Sequence, residues 1–117
     1  MKYKLVLFYE SDRIIKLFDR LYQNKNFQII GLVPKIEKSI NLKKFKTINS
    51  FAKKFNIEIL KTKNINDQKF IKKIKNLNPK LGVNFGHKQL FKNSIIDTFK
   101  IGILNYHPGI IPYARGN

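Results

Sequence analysis

The sequence predicts an α/β fold with a mainly parallel sheet, and three observations carry that prediction. Five short apolar runs are separated by polar or amphipathic segments. The first run, Leu5 to Tyr9, is continuously apolar instead of alternating, as expected for a strand covered on both faces. Parallel neighbours need a crossover between them, and strands that alternate with helices satisfy this through right-handed βαβ units.

The elements follow in order. "YKLVLFYES", Tyr3 to Ser11, is the first strand. "SDRIIKLFDRLYQNK" sets Ile14, Leu17, Phe18, Leu21 and Tyr22 at helical spacing behind a Ser11 or Asp12 cap, which makes an amphipathic helix. "FQIIGLV", Phe27 to Val33, is a second buried strand closed by Pro34, whose missing N–H cannot serve a central ladder. The Lys-rich stretch from Lys35 to Lys46 reads as a loop. "TINSFAKKFN", Thr47 to Asn56, is a short helix, and "IEIL", Ile57 to Leu60, a third strand. "NDQKFIKKIKNLN", Asn66 to Asn78, is a helix with Phe70, Ile74 and Leu77 inward. After Pro79, "KLGVNFG" (Lys80 to Gly86) is the fourth strand. "KQLFKNSIIDTF", Lys88 to Phe99, reads as helix or helical turn, and "IGILNYH", Ile101 to His107, as the fifth strand. The expected architecture is a Rossmann-like, doubly wound, mainly parallel sheet of about five strands. In such sheets ligands bind beyond the carboxyl ends of the strands, here Tyr9 to Asp12, Val33 and Pro34, Asn84 to His87, and Asn105 to His107.

Composition narrows the function classes. A chain of 117 residues suits one domain, and 43% hydrophobic content with ten Phe and five Tyr implies a packed core. With no Cys, disulfides, thiolate metal sites and Cys nucleophiles are excluded, in keeping with a reducing, cytoplasmic setting. No apolar run is long enough to span a bilayer, and the opening "MKYKLVLFYESD" meets charge too early for a secretory signal. The net charge of +17 admits a second reading, a basic nucleic-acid-binding module without catalysis. Yet of the 24 basic residues only Arg13, Arg20 and Arg115 are Arg, the residue favoured for bidentate phosphate grip, and the Lys are spread evenly. Solvated lysines from a compositional bias of the coding sequence are the favoured reading of that spread over a nucleic-acid surface.

Several motifs are absent. The turn "FYESDR" after the first strand has no Gly, which excludes a dinucleotide fingerprint and a phosphate loop there. The chain has no G-x-S-x-G elbow. His87 and His107, twenty residues apart and without neighbouring carboxylates, make no metal set. His87, following Gly86, is expected to be a solvated loop residue.

The closing stretch "GILNYHPGIIPYARGN" carries the chemistry. Residues i and i+2 of a strand point the same way, so Asn105 and His107 project together at the end of the fifth strand while Tyr106 faces the other side. An amide N–H and an imidazole converging on one atom suit an oxyanion developing at a carbonyl carbon. Pro108 restricts His107 to extended backbone and Gly109 frees the turn that follows. Spacing alone also admits a structural pair, with Asn105 capping the loop and His107 packed within it.

The segment "GILNYHPGIIPYARG" resembles the signature of the folate-dependent formyltransferases, the family of methionyl-tRNA, glycinamide ribonucleotide and sugar-nucleotide N-formyltransferases. The match runs through Gly102, Asn105, His107, Ile110, Ile111, Pro112, Arg115 and Gly116. "VNFGHKQLFKNSIIDTFKIG" is similar to the strand, Gly loop and helix that lead into it. The resemblance implies 10-formyltetrahydrofolate as formyl donor and a primary amine as acceptor, on methionyl-tRNA or an amino-sugar nucleotide. It implies Asn105 and His107 as the catalytic pair, Phe85, Gly86 and Leu90 on the donor side, and Tyr113 and Arg115 at the acceptor. For Phe85 and Leu90 core packing is an equal expectation; for Arg115, binding of backbone carbonyls. Departures are visible: Ala114 stands where the family commonly has an aromatic, no Pro follows Gly86, and the Gly-free first turn argues against glycinamide ribonucleotide. The family's partner carboxylate lies about 35 residues beyond the His, past Asn117. Residues 1–117 are therefore expected to form the amino-terminal part of such a domain, truncated before the rest. Alone it would show negligible transfer, or be a truncated gene product without function that associates through its last strand's exposed edge.

Overall fold

The computed structural model describes residues 2–35 and 46–106. Four strands, β1 (Tyr3–Tyr9), β2 (Phe27–Pro34), β3 (Leu81–Phe85) and β4 (Gly102–Tyr106), form one parallel sheet in the order β2-β1-β3-β4. The chain moves outward from β1 to β2, then returns past β1 to β3 and β4. The topological switch point therefore lies between β1 and β3.

Four helices connect and cover the strands. A 3₁₀ turn (Asp12–Ile14) leads into α1 (Ile15–Gln23), and α2 (Lys46–Lys54) shares that layer. The opposite layer holds α3 (Gln68–Leu77) and the single turn α4 (Asn93–Ile96). Because strand side chains alternate, Leu5, Leu7 and Tyr9 pack with Ile14, Phe18, Ile48 and Ala52, while Val6 and Phe8 pack with Phe70, Ile74, Ile95 and Phe99. All five residues from Leu5 to Tyr9 are fully buried, which accounts for the unbroken apolar run. The pairing of β1 with β2 slips by one residue between Leu5 and Val6, which face Ile29 and Gly31. Ile30 is the extra residue of this bulge, and Ile30 and Gly31 both turn toward the α3 layer.

Helix ends follow their sequence signals. Asp67 caps α3 by accepting from the Phe70 N–H, and Asn78 ends it in the left-handed region (φ 53°) just before Pro79. The start of α2 is capped from a distance: the Asp12 carboxylate accepts from the N–H groups of Thr47 and Ile48, each at 3.0 Å. This contact ties the turn after β1 to α2, 35 residues on. Replacing Asp12 with alanine is expected to lower unfolding free energy by about 1–2 kcal/mol, measurable by denaturant titration.

Two expectations need correction. Of the five strands expected, Ile57–Leu60 does not form a full strand; it meets β2 through one bridge, Leu32 with Ile59. Among the described residues it bonds to β2 through two backbone hydrogen bonds, from Leu32 N–H to the Glu58 carbonyl and from Leu60 N–H to the Leu32 carbonyl. The helix or helical turn expected from Lys88 to Phe99 is the turn alone, Asn93–Ile96, because the Asn66 side chain from another loop and the segment's own Gln89 side chain tie down the residues before it, as described below. Among the described residues no helix is long and apolar enough to cross a membrane.

Candidate functional site

The carboxyl ends of β3 and β4 open onto a cleft of about 660 Å³. Its apolar wall is Leu90, Phe91, Ile96 and Ile103, and its polar lining includes Asn84, His87, Lys88, Gln89 and Asn105.

Asn84 and Asn105 stand directly opposite each other in the β3–β4 ladder. Asn84 is buried, and both ends of its side-chain amide are hydrogen-bonded. Its Oδ1 accepts from the His87 backbone N–H at 2.9 Å, and its Nδ2 donates to the His87 carbonyl at 3.2 Å and to Asn105 Oδ1 at 2.8 Å. A backbone N–H can only donate and a backbone carbonyl only accept, so the Asn84 amide has one possible orientation. That orientation fixes the next: Asn105 must turn its oxygen to Asn84, and its nitrogen lies on the side away from β3.

The turn that makes this possible needs Gly86. Its φ is +83°, and a Cβ there would come within 3.0 Å of the Glu10 side chain. His87 then folds back over the sheet instead of into solvent, correcting the expectation of a solvated residue: it is 4% exposed. Its ring meets Phe8 edge-on at 6.1 Å and Phe91 at 6.0 Å, and its Nδ1 has no hydrogen-bond partner among the described residues. Burial, with a smaller push from the Lys35 ammonium, lowers its pKa from 6.5 to about 4. It is therefore a neutral imidazole at physiological pH. Tyr9, at the end of β1, is similarly affected in the opposite direction: burial and then Asp12 raise the pKa of its hydroxyl.

The cleft's outer wall is held by two side-chain amides acting reciprocally. Gln89 accepts from the Ile65 N–H at 2.8 Å and donates to the Lys63 carbonyl at 2.6 Å. Asn66 donates to the Leu90 carbonyl at 2.7 Å and accepts from the Lys92 N–H at 3.0 Å. These four bonds hold residues 89–92 out of the helix, which explains the shortened helix and leaves Leu90 and Phe91 on the cleft.

The residues anticipated from sequence divide as follows. Gly86, Leu90 and Asn105 lie together on the cleft. Leu90 is 75% exposed, so the alternative expectation of core packing does not hold for it. Phe85 points to the α1–α2 layer, where it packs against the core and stacks on Tyr106 with centroids 4.9 Å apart. It is not on the cleft wall. His107, Tyr113 and Arg115 lie outside the described residues. Sequence reasoning placed Asn84 only within the strand end Asn84 to His87, and missed its bond to Asn105 and the burial of His87. The available signal for Asn84 was a β-disfavoured polar residue inside the otherwise apolar strand β3.

Comparison with known proteins gives a consistent result. The family model described as formyl transferase matches residues 2–117. The methionyl-tRNA formyltransferase of Finegoldia magna is 35% identical over 118 aligned positions, covering 99% of this chain and 38% of that protein. The methionyl-tRNA formyltransferase of Clostridioides difficile is 29% identical, covering 80% of this chain and 31% of its own length. The chain thus spans well under half the length of these curated relatives. Among solved structures, glycinamide ribonucleotide transformylase 1 from Geobacillus kaustophilus superposes with a TM-score of 0.69 at 13% identity, covering 96% of this chain and 61% of the other. Phosphoribosylglycinamide formyltransferase from Campylobacter jejuni gives 0.69 at 18% identity, covering 100% and 64%. At such identities the structural likeness speaks for the fold.

Proposed function

The chain belongs to the formyl transferase family, and from that premise we propose that its cleft receives 10-formyltetrahydrofolate and takes part in moving the formyl group to a primary amine. One observation carries the reading: Asn105, at the carboxyl end of β4 and on the cleft wall, has its amide oriented by Asn84 with the nitrogen turned away from β3. The cleft suits the donor. Leu90, Phe91, Ile96 and Ile103 offer an apolar slot for a flat ring system, and Gly86 lets a ligand approach the backbone closely.

The donor supplies a formyl carbon that the amine attacks, with tetrahydrofolate departing as the leaving amine once its nitrogen takes up a proton. The protein's part is electrostatic. As the new N–C bond forms, the carbonyl electron pair moves onto oxygen, and an N–H of Asn105 is placed to donate to that oxygen. His107 is assigned the second donor and the proton-transfer role by the resemblance. Tyr113 and Arg115 are assigned to the acceptor on the same footing. Methionyl-tRNA is the acceptor favoured, supported by the activity in the relatives' names and by a net charge of +17, which favours a polyanionic substrate. The purely nucleic-acid-binding alternative draws less support: exposed basic residues lie in both helical layers, Lys16, Arg20, Lys53 and Lys54 in one and Lys69, Lys72, Lys73 and Lys75 in the other.

A titration of this chain with 5-formyltetrahydrofolate, a reduced folate that does not transfer its formyl group in this way, tests the donor assignment. Saturable binding that shifts the amide signals of Gly86, His87 and Leu90 is expected, and no binding at millimolar ligand would overturn it. In transfer assays on the protein carrying this segment, Asn105→Ala is expected to lower kcat about 10²–10³-fold with methionyl-tRNA as acceptor. Undiminished kcat would remove Asn105 from the reaction.

A further inference from the structure

We propose that Asn84 is a positioning residue for formyl transfer, one that dictates which end of the Asn105 amide faces the reacting carbonyl. The proposal rests on the donor reading above, and it concerns a residue that does not itself contact the reacting atoms. An unconstrained Asn side chain at the tip of a strand can present either nitrogen or oxygen, and the two differ little in shape. Only the nitrogen can stabilise an oxyanion; the oxygen would repel it.

The choice is transmitted from the backbone. The His87 N–H and C=O have fixed polarity, and both are bonded to the Asn84 amide, at 2.9 and 3.2 Å. Asn84 therefore cannot turn over without setting donor against donor and acceptor against acceptor inside a buried site. Its Nδ2 then reaches Asn105 Oδ1 at 2.8 Å across the non-slipping β3–β4 register, Asn84 opposite Asn105. Gly86, by permitting the turn, is the structural precondition for the whole relay.

The test is Asn84→Asp. An ionised carboxylate at this position still accepts from the His87 N–H but donates to nothing, so Asn105 is expected to turn its nitrogen toward it and its oxygen toward the cleft. A protonated carboxyl restores the two bonds that orient Asn105, with one oxygen accepting from the His87 N–H and the hydroxyl donating to Asn105 Oδ1, while the donation to the His87 carbonyl is lost. Burial raises the pKa of such a carboxyl above the ordinary value of about 3.9. Affinity for 5-formyltetrahydrofolate is expected to fall about tenfold at pH 8 and to recover as pH is lowered toward about 5, while the wild-type affinity stays flat over that range. The ¹⁵N signal of the Asn105 side-chain amide should move with the same midpoint. Asn84→Ala removes the bond without imposing the opposite orientation, and an approximately threefold, pH-independent loss with a displaced Asn105 amide signal is expected. It serves as the deciding variant if the buried carboxylate prevents folding. An Asn105 amide signal and a folate affinity unchanged from wild type in whichever variant folds would overturn the proposal. If wild type itself does not bind the folate, the donor reading fails, while the Asn105 amide signal still decides whether Asn84 orients it.

Discussion

Phe8→Ala is expected to destabilise the fold by about 3–5 kcal/mol and to weaken folate binding in the molecules that remain folded. Phe8 is fully buried near the carboxyl end of β1, with Val33 of β2 on one side and Asn84 of β3 on the other in the sheet register. Its ring lies edge-on to Phe91 at 4.9 Å, Phe99 at 6.0 Å and His87 at 6.1 Å. Removing it leaves a void beneath both the α4 turn and the cleft wall, where rigid rings cannot collapse to fill the space. Phe18→Ala is the comparison. Phe18 is equally buried in the other layer, among Tyr22, Phe51 and Phe55, and its loss should cost a similar amount. Under native conditions where both variants remain folded, only Phe8→Ala should lower affinity for 5-formyltetrahydrofolate. Denaturant midpoints and folate titrations measure the two quantities separately. A stability loss below about 1.5 kcal/mol, or equal folate affinity in the two variants, would contradict this account of the cleft floor.

The layer separation behind that comparison was legible in the sequence, whereas the cleft was only partly so. A run such as Leu5 to Tyr9 has no alternation because both faces are covered, and that is a property of the run itself. The amphipathic spacing of α1 and the capping Asp67 of α3 are likewise local. Ile57–Leu60 has the same kind of apolar content, but the extent of a strand depends on how much partner it finds, and here it meets only the outer side of β2 at Leu32. Of the helix or helical turn expected from Lys88 to Phe99 only the turn forms, and the reason is non-local. Its backbone groups are taken by Asn66 and its Gln89 side chain reaches Lys63 and Ile65, contacts 24 to 26 residues away that outweigh local helix preference. At the site, Asn105 stands out by its motif. The orientation of its amide does not, since that requires the register of β3 against β4 and the fold-back of His87. Asn84 reads as an odd residue in a strand until its neighbours are known. Its burial is tolerable because every polar group it carries along the relay is matched.

Stability is expected to fall as pH drops from about 6.5 to about 4, with His87 as a principal cause. The folded-state pKa of about 4 lies below the ordinary 6.5, so the unfolded chain binds a proton in this window that the folded chain refuses. Stability therefore rises with pH through the interval. The contribution is complete above about 6.5, shrinks progressively as the pH falls, and is fully lost below about 4. For a single group shifted this far the total is on the order of 3 kcal/mol. The cause is geometric: a 4%-exposed ring between Phe8 and Phe91, with Lys35 adding like charge, offers an imidazolium neither water nor a counter-charge. Protonated carboxylates also contribute to acid unfolding, so the isolating measurement is the difference between wild type and His87→Leu. Asn84 binds only the backbone of His87, so this substitution leaves the relay to Asn105 intact. At pH 7 the variant should be at least as stable as wild type, because it removes a buried Nδ1 that has no hydrogen-bond partner among the described residues. Between about pH 6.5 and 4 the wild-type curve should fall more steeply than that of the variant. Parallel curves would mean that His87 becomes charged inside the fold at no cost. Folate affinity supplies the second readout: above about pH 6, where the ring is neutral, His87→Leu should retain the donor site if the imidazole serves as wall and not as ligand.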